Sequence, residues 1–278
     1  MLDMKRKFDV VALTLHMVLW IGVVIVSLPF VWMLLSSVKS LPDFYTFSFF
    51  PHSIDWSGYL YVFQQTNYLR WYLNSLIVAV CVTTSGLVFD SLAGYALAKY
   101  KVPGVTAVFL LILSTLMIPT EMLVIPWYVM GSQLNWIDTF WGVMFPGMME
   151  AFGVFLMRQF MLGVPNDLLD AARIDGLSEF KIWWRVAMPQ VKLALSALGI
   201  LTFLGNWNAY LWPVIATTTD PMRTLPVGIS LYASADNGGI QWNTIMGMST
   251  LAVIPIIIVF LVFQRRIVEG IALTGVKG

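Results

Sequence analysis

The sequence predicts an all-α membrane protein with six transmembrane helices, on the basis of its composition, its apolar runs and its charge distribution. Of its 278 residues, 59% are hydrophobic and only 11% are charged. An ordinary globular domain has about 25% charged residues. A chain of this length could bury a large core, but so few charges could not cover a soluble surface. We therefore expect much of the surface to face lipid.

Six apolar stretches are long enough to cross a bilayer, which takes about 20 residues in a helix. The first follows Lys5-Arg6-Lys7 and is too long for a signal peptide, so we expect it to be retained. All six belong to a single predicted membrane domain over residues 1–278. The predicted spans are about 10–38, 71–98, 105–130, 139–160, 193–218 and 242–264.

The positive charges predict the orientation of these spans. Thirteen of the 16 Lys and Arg residues fall on the side that holds both termini. Cytoplasmic loops carry an excess of Lys and Arg, so both termini should be cytoplasmic. The longest segment on the other side, at about 39–70, is rich in aromatic residues. That richness indicates either an aromatic belt at the membrane interface or a docking surface for an outside partner.

Several function classes are disfavoured by the same sequence. The net charge of +1 does not suit nucleic acid binding. A lone Cys81 and two distant histidines offer no metal site. The chain has no G-x-x-x-x-G-K-[ST] phosphate loop and no nucleophile–base spacing. We expect a non-catalytic chain that binds no cofactor, nucleotide or metal itself.

A polar insert at about 163–190 separates the fourth and fifth predicted spans. Asn166 or Asp167 could cap a first short helix, and Ser178 a second. Gly176 could end the first helix with a positive φ, and Pro189 could redirect the chain into the next span. The pattern predicts two short helices joined at a glycine, on the cytoplasmic face of the membrane.

The residues alone leave two interpretations of this insert open. Ala171 and Ala172 beside Asp170 would let another surface approach closely and meet a charge, which favours a docking site. A solvated interfacial loop explains the same polarity equally well.

The insert resembles the signature loop of ATP-binding-cassette (ABC) importer permeases. The family pattern is Glu-Ala-Ala, three residues, Gly, nine residues, then Ile-x-Leu-Pro, and the spacing here is the same. The matching residues are Asp170, Ala171, Ala172, Gly176, Val186, Met188 and Pro189. Further stretches look like the carbohydrate, maltose-type branch of the family: "YLNSLIVAV", "AGYALAKYKVPG", "MIPTEMLVIP", "FLMRQFMLGVP", "LGNWNAYLWP", "RTLPVGI" and "QRRIVEGIALTGVKG".

The resemblance implies a type I ABC importer permease with a coupling-helix loop at about 163–190. Such a permease forms a heterodimer with a second, homologous permease. Two separate subunits bind ATP and Mg, and an extracytoplasmic sugar-binding protein delivers a sugar or oligosaccharide. The import proceeds by alternating access across the bacterial inner membrane. The residues implied in ATPase coupling are Asp170, Ala171, Ala172, Gly176, Val186 and Pro189.

Three acidic residues lie within or near the predicted spans: Asp90, Glu121 and Glu150. A charge at mid-bilayer costs roughly 2.5–3.5 kcal/mol, so such groups face a cavity or make buried hydrogen bonds. Proline near Glu121, and "PGMM" before Glu150, predict breaks in those helices. If an ion gradient drove transport instead, the three acids could carry the ion, although no internal repeat typical of secondary transporters is visible.

The fifth span carries amide and aromatic side chains that suit sugar hydroxyls and sugar rings. They either line the substrate path or pack against the partner permease. Together with Glu121 and Glu150, the predicted path residues are Asn206, Trp207, Asn208 and Tyr210.

Overall fold

A computed structural model describes the backbone of residues 2–46, 48–235 and 241–275 and the side chains of residues 12–46, 48–235 and 241–264. Some of the charges that carry the orientation argument lie outside the described side chains. They are Lys5, Arg6, Lys7, Arg265, Arg266 and Lys277.

The described residues form helices and loops, and no strand occurs among them. The predicted all-α class is therefore confirmed. The α-helices are α1 (Leu2–Ser36), α2 (Leu41–Tyr45), α3 (Ser57–Gln65), α4 (Tyr68–Lys99), α5 (Val105–Thr115), α6 (Val124–Gln133), α7 (Phe140–Met144), α8 (Ala151–Leu162), α9 (Asn166–Ile174), α10 (Glu179–Ile182), α11 (Met188–Gln190), α12 (Lys192–Trp207), α13 (Leu211–Ala216), α14 (Leu225–Ser234) and α15 (Trp242–Gly275).

The membrane-spanning pattern is partly continuous and partly broken. Single helices long and apolar enough to cross a bilayer are Ala12–Ser36, Tyr68–Lys99 and Trp242–Gln264. Within the described residues, three bent helix pairs bring the number of candidate spans to as many as six. The predicted membrane class is thus confirmed. The number six is reached when each bent pair is counted as one span, but the third pair joins Glu179–Gln190, part of the predicted cytoplasmic insert, to Lys192–Trp207 with a bend of 88°.

Three predicted spans are broken in the structure, two of them where the sequence predicted a break. The span at 105–130 is bent by 93° between α5 and a segment starting at Thr120, just after Pro119. The span at 139–160 is bent by 44° around residues 148–150. The predicted breaks beside Glu121 and Glu150 are therefore confirmed. The span at 193–218 was predicted as one helix, but it is interrupted at residues 208–210, between α12 and α13.

The chain divides into two compact units, of which the first comprises Met1–Thr66 and Leu231–Val253. In this unit, the segment that follows α1 contains Lys39, whose side chain is buried with 1% exposure. The Lys39 Nζ donates to the Ser48 carbonyl at 2.6 Å and lies 3.9 Å from the centre of the Trp32 ring. The burial lowers the pKa of Lys39, against the opposing influence of Asp43. This part of the predicted 39–70 segment is therefore an ordered structure.

The second unit comprises Asn67–Ser230 and Ile254–Gly278 and is built around α4. Helices α8 and α12 pack along α4. Helices α4 and α8 approach each other closely. A Cβ added at Gly94 would lie only 2.7 Å from both the Arg158 backbone nitrogen and the Met157 Cβ. A Cβ at Gly153 would overlap the Asp90 carboxyl group. Glycine at these positions is what lets the two helices touch.

Candidate functional site

The polar insert folds as α9, a turn and a second short helical segment, as the sequence predicts. Gly176 has a φ of +80°, the left-handed conformation that glycine adopts readily. Its N–H donates to the Arg173 carbonyl at 3.0 Å, and the Leu177 N–H donates to the Ala172 carbonyl at 3.1 Å. This pair of bonds is a Schellman motif, which satisfies carbonyls at the end of α9. The predicted glycine turn is confirmed.

The predicted helix caps are wrong in detail. Pro165 occupies the N-cap position of α9, and neither Asn166 nor Asp167 caps it among the described residues. The Asn166 Oδ1 instead accepts from the Lys99 Nζ at 3.1 Å, so Lys99 binds the start of α9 to the end of α4. Ser178 does hold the N-cap position of α10, with no side-chain cap bond among the described residues. The chain enters these helices through tertiary contacts rather than local capping.

Arg173 links the two helical parts of the insert. Its Nη1 lies 2.5 Å from the Asp170 Oδ1 within α9. Its Nε donates to the Glu179 Oε1 at 2.7 Å, and its Nη2 donates to the Glu179 Oε2 at 3.3 Å, which makes the pair bidentate. The Tyr95 hydroxyl of α4 also donates to the Glu179 Oε2, at 3.1 Å. Asp170, the acidic residue of the signature motif, therefore already forms an ion pair with Arg173 of its own chain.

The same network shifts the protonation equilibria of its members. Hydrogen bonds from Arg173 hold the pKa of Glu179 below its ordinary value. Hydrogen bonds to Glu179 and Asp170 raise the pKa of Arg173 above its already high value. Both groups are thus charged over the whole physiological range, and the network is ionic.

The inner face of the insert packs into the second unit. Ala172 is buried with 7% exposure in a cluster that includes Met157 of α8 and Leu198 of α12. Ile182 and Trp183 are also in this cluster, and Val186 packs against it half-buried. A single π-helical turn, Trp183–Ala187, lies between α10 and α11. The insert is consequently part of the same packed body as α4, α8 and α12.

Several exposed side chains on the outer side of the insert are apolar, among charged neighbours. Ile174 is 87% exposed, Phe180 61% and Trp184 55%. Ala171 is exposed too, so the alanine pair is divided between the two faces. Asp170, Gly176 and Pro189 are also exposed. We name this outer face, made of Ala171, Ile174, Phe180 and Trp184, the apolar face of the insert.

A cavity of about 310 Å³ lies within the second unit, where the broken helices meet. Its lining includes Glu150 and Asn206 together with Trp127 and Trp212. The Trp212 Nε1 donates to the Gly142 carbonyl at 2.9 Å, and the Trp127 and Trp212 rings meet edge to face at 5.6 Å. The cavity is therefore a preformed space with a fixed aromatic wall.

The other predicted path residues lie outside the lining of this cavity. Trp207 is only 2% exposed and packs against the rings of Tyr72 and Phe203. Asn208 is exposed and donates to the Leu204 carbonyl at 2.8 Å. Tyr210 is 43% exposed, and its hydroxyl accepts from the Ser230 Oγ at 3.2 Å. Glu121 is exposed at the bend that precedes α6.

Asp90 is buried at the contact between α4 and α8, with 1% exposure. Its Oδ1 accepts the backbone N–H of Glu150 at 3.0 Å. Glu150 is the N-cap residue of α8. A carboxyl group from another helix therefore accepts one of the N–H groups that a helix start leaves unpaired.

Sequence analysis alone missed several of these residues. Arg173 and Glu179 are six positions apart, a spacing that does not bring side chains together within one helix. Their contact depends on the turn at Gly176. Trp127 was missed because its place beside Trp212 depends on the bend before α6 and the break before α13. The sequence offered one signal of this network: Arg173 lies three residues after Asp170, a spacing at which two side chains on the same helix can pair.

Comparison with known proteins identifies relatives across most of the chain. A family model described as "Binding-protein-dependent transport system inner membrane component" matches residues 90–272. The arabinooligosaccharides transport system permease protein AraQ of Bacillus subtilis (strain 168) is 37% identical over 229 residues, which are 82% of this chain and 81% of that protein. The sn-glycerol-3-phosphate transport system permease protein UgpE of Yersinia pestis bv. Antiqua (strain Antiqua) is 31% identical over 281 residues, 98% of each chain.

The fold has a counterpart among solved structures. One chain from the crystal structure of a bacterial ABC transporter involved in the import of the acidic polysaccharide alginate superimposes with a TM-score of 0.84. The match covers 94% of this chain and 97% of the other, at 23% sequence identity. At this identity the likeness concerns the fold.

Proposed function

Because the chain belongs to the family of binding-protein-dependent transport system inner membrane components, we propose that it moves a sugar or oligosaccharide into the cytoplasm by alternating access. As a member of this family it is a multi-pass permease, the non-catalytic membrane component of an ABC importer that depends on a binding protein. This family assignment replaces the alternative of an ion-driven secondary transporter.

The sugar is inferred from relatives and from the cavity. The similar protein of Bacillus subtilis is named for arabinooligosaccharides and that of Yersinia pestis for sn-glycerol-3-phosphate. The substrate path proposed here passes the cavity lined by Glu150 and Asn206. Trp207 is buried against Tyr72 and Phe203 and does not line the cavity. We assign Glu121, Asn208 and Tyr210 to surfaces outside the cavity.

The insert at 163–190 is the proposed coupling loop. The observation that carries this assignment is its two-sided construction: a core shared with α4, α8 and α12, and an apolar face turned outward. An exposed apolar patch of this kind is typical of a surface that contacts either another protein or the membrane, and the spacing of the signature motif favours the protein partner. Closure of two ATPase subunits would move the loop, and the shared core would pass the movement to the spans.

The remaining partners follow from the family pattern. We propose a heterodimer with a second, homologous permease, two ATP-binding subunits that hold the ATP and Mg, and an extracytoplasmic sugar-binding protein. The chain itself would bind no cofactor. The excess of Lys and Arg supports cytoplasmic termini and a cytoplasmic coupling loop. A single permease domain over 1–278 remains part of the proposal.

Reconstitution tests the proposal directly. The chain, its sister permease, the ATPase subunits and the binding protein are placed in liposomes, and sugar uptake and ATP hydrolysis are measured together. We expect uptake that requires ATP and the binding protein and persists when an uncoupler collapses the ion gradients. Uptake that continues without the ATPase subunits and stops with the uncoupler would contradict it.

A further inference from the structure

We propose that the cavity beside Glu150 is a subsite for an uncharged sugar residue and discriminates against phosphorylated or acidic sugars. This inference rests on the proposed sugar import and makes its substrate class more specific. The two relatives named above leave that class open, because one is named for a neutral oligosaccharide and the other for a phosphate ester.

The size and walls of the cavity suit one sugar ring. Its volume of about 310 Å³ is at the small end of ligand pockets, which range over about 300–1,000 Å³. The Trp212 indole N–H already has its partner in Gly142, so this ring contributes an apolar surface held in one orientation. A flat aromatic surface complements the C–H face of a pyranose or furanose ring. The ring can thus be held without any charge on the ligand.

The polar groups of the cavity are suited to hydroxyls. The Asn206 Nδ2 donates to the Thr202 carbonyl at 2.9 Å, which fixes the orientation of the amide. The Asn206 Oδ1 lies near Gly147, since a Cβ added at Gly147 would be 3.3 Å from this oxygen. Glu150, the N-cap residue of α8, also lines the cavity and carries carboxyl oxygens. Hydroxyl groups can donate to these oxygens and accept from a protonated carboxyl.

The cavity has nothing to hold an anion. Every lining residue belongs to the described part of the chain, and among them Glu150 is the charged one; none is Lys, Arg or His. A phosphate or carboxylate ligand would therefore be desolvated without a cation to pair with it. An ionised Glu150 would also repel it, and a protonated Glu150 would supply no positive charge.

The start of α8 is the other feature that could attract an anion, and one of its N–H groups already has an acceptor within the chain. Helix N-termini bind anions through their free N–H groups and the helix dipole. Here the Asp90 carboxyl group accepts the Glu150 N–H at 3.0 Å. The chain thus provides its own acceptor for this N–H group, which is therefore not available to an anionic ligand. The absence of a basic side chain from the lining and the occupied N–H group both favour neutral ligands.

Equilibrium dialysis on the purified permease–ATPase complex in lipid nanodiscs tests the inference. Omitting the binding protein removes the selectivity of that partner. The two radiolabelled probes are arabinotriose, which is neutral, and trigalacturonate, which carries carboxylates and has the same number of rings. We expect arabinotriose to bind at least about tenfold more tightly, the ratio that about 1.4 kcal/mol produces. Equal or tighter trigalacturonate binding would overturn the inference.

Three variants locate the binding. Glu150→Arg should increase trigalacturonate binding at least about tenfold, a gain that misfolding could not produce. Gly205→Leu should abolish binding of both probes, because Gly205 lines the cavity and a Cβ there meets no described atom within 4 Å. Gly22→Leu in α1 is the matched control, since its Cβ also meets no described atom within 4 Å, and it should bind like the wild type.

The outcomes separate this inference from the proposed function. If wild type binds neither probe, or if Gly205→Leu binds both normally, the cavity is not a sugar subsite, whatever the reconstituted uptake shows. If uptake fails in the reconstituted system while the neutral probe binds selectively, the proposed function is wrong and the selectivity of the cavity stands.

Discussion

The turn at Gly176 gives the sharpest prediction about the proposed coupling loop. A residue with a side chain costs about 1–2 kcal/mol in the left-handed conformation that Gly176 adopts at φ +80°. Among the described residues, nothing lies within 4 Å of a Cβ added there. The cost therefore comes from the backbone alone, and Gly176→Ala and Gly176→Leu should be almost equally destabilised. Gly176→Asn should cost less, because Asn adopts this conformation more readily.

Hydrogen exchange measures this cost where it arises. The amides of residues 176 and 177 donate to the Arg173 and Ala172 carbonyls, so their exchange reports opening of the turn. In the isolated chain in nanodiscs, the Ala and Leu variants should exchange about 5 to 30 times faster than wild type, the factor that 1–2 kcal/mol gives. The Asn variant should lie between them and wild type. Identical exchange in all four proteins would refute the backbone argument.

The same variants report whether a partner approaches the turn. Once the ATPase subunits are added, docking predicts that Leu becomes more harmful than Ala to assembly, because only Leu projects a bulky group into the interface. Equal assembly of the Ala and Leu variants would mean that the partner does not come close to Gly176.

Three further changes test other parts of the structure. Arg173→Lys should lower the local stability of residues 177–182 by about 1 kcal/mol, because Lys cannot make the bidentate contact and exposed ion pairs contribute only about 0.2–1 kcal/mol each. Hydrogen exchange measures this loss, and unchanged exchange would contradict the network. Gly153→Ala should lower the unfolding free energy by about 1–3 kcal/mol in a thermal melt, because its Cβ overlaps the Asp90 carboxyl group; Gly22→Ala is the control and should melt like wild type. Ile174→Ser should leave stability within about 0.5 kcal/mol and weaken ATPase binding at least about tenfold in a biolayer assay, so an unchanged affinity would remove Ile174 from the docking face.

The sequence predicted the features that local chemistry determines. Apolar length identified the membrane class, Gly176 identified a positive φ, and proline marked the bend before α6. These follow from hydrophobicity and backbone sterics, which act over a few residues. The signature spacing predicted a coupling loop at 163–190 through the resemblance to the family, and that role remains a proposal.

The sequence could not predict the contacts that depend on how the helices meet. Asp170 was expected to offer its charge to a partner, but Arg173 already holds it within the loop. Trp207 was expected in the substrate path or against a sister subunit, and it is buried between Tyr72 and Phe203. The break at 208–210 turns the chain between α12 and α13 and places Asn208 and Tyr210 at the surface. Such outcomes depend on tertiary packing, which helical periodicity does not encode.

Alternating access of the cavity is the central claim, and labelling of a cysteine inside the cavity tests it most directly. Cys81, the single cysteine of the chain, is replaced by serine, and Gly205→Cys places a thiol at the open wall of the cavity. A membrane-impermeant maleimide is then applied to right-side-out and inside-out vesicles that contain the whole complex. The account predicts labelling from the cytoplasmic side without ATP and from the outer side when a non-hydrolysable ATP analogue closes the ATPase pair. Labelling from the same side in both states would contradict it.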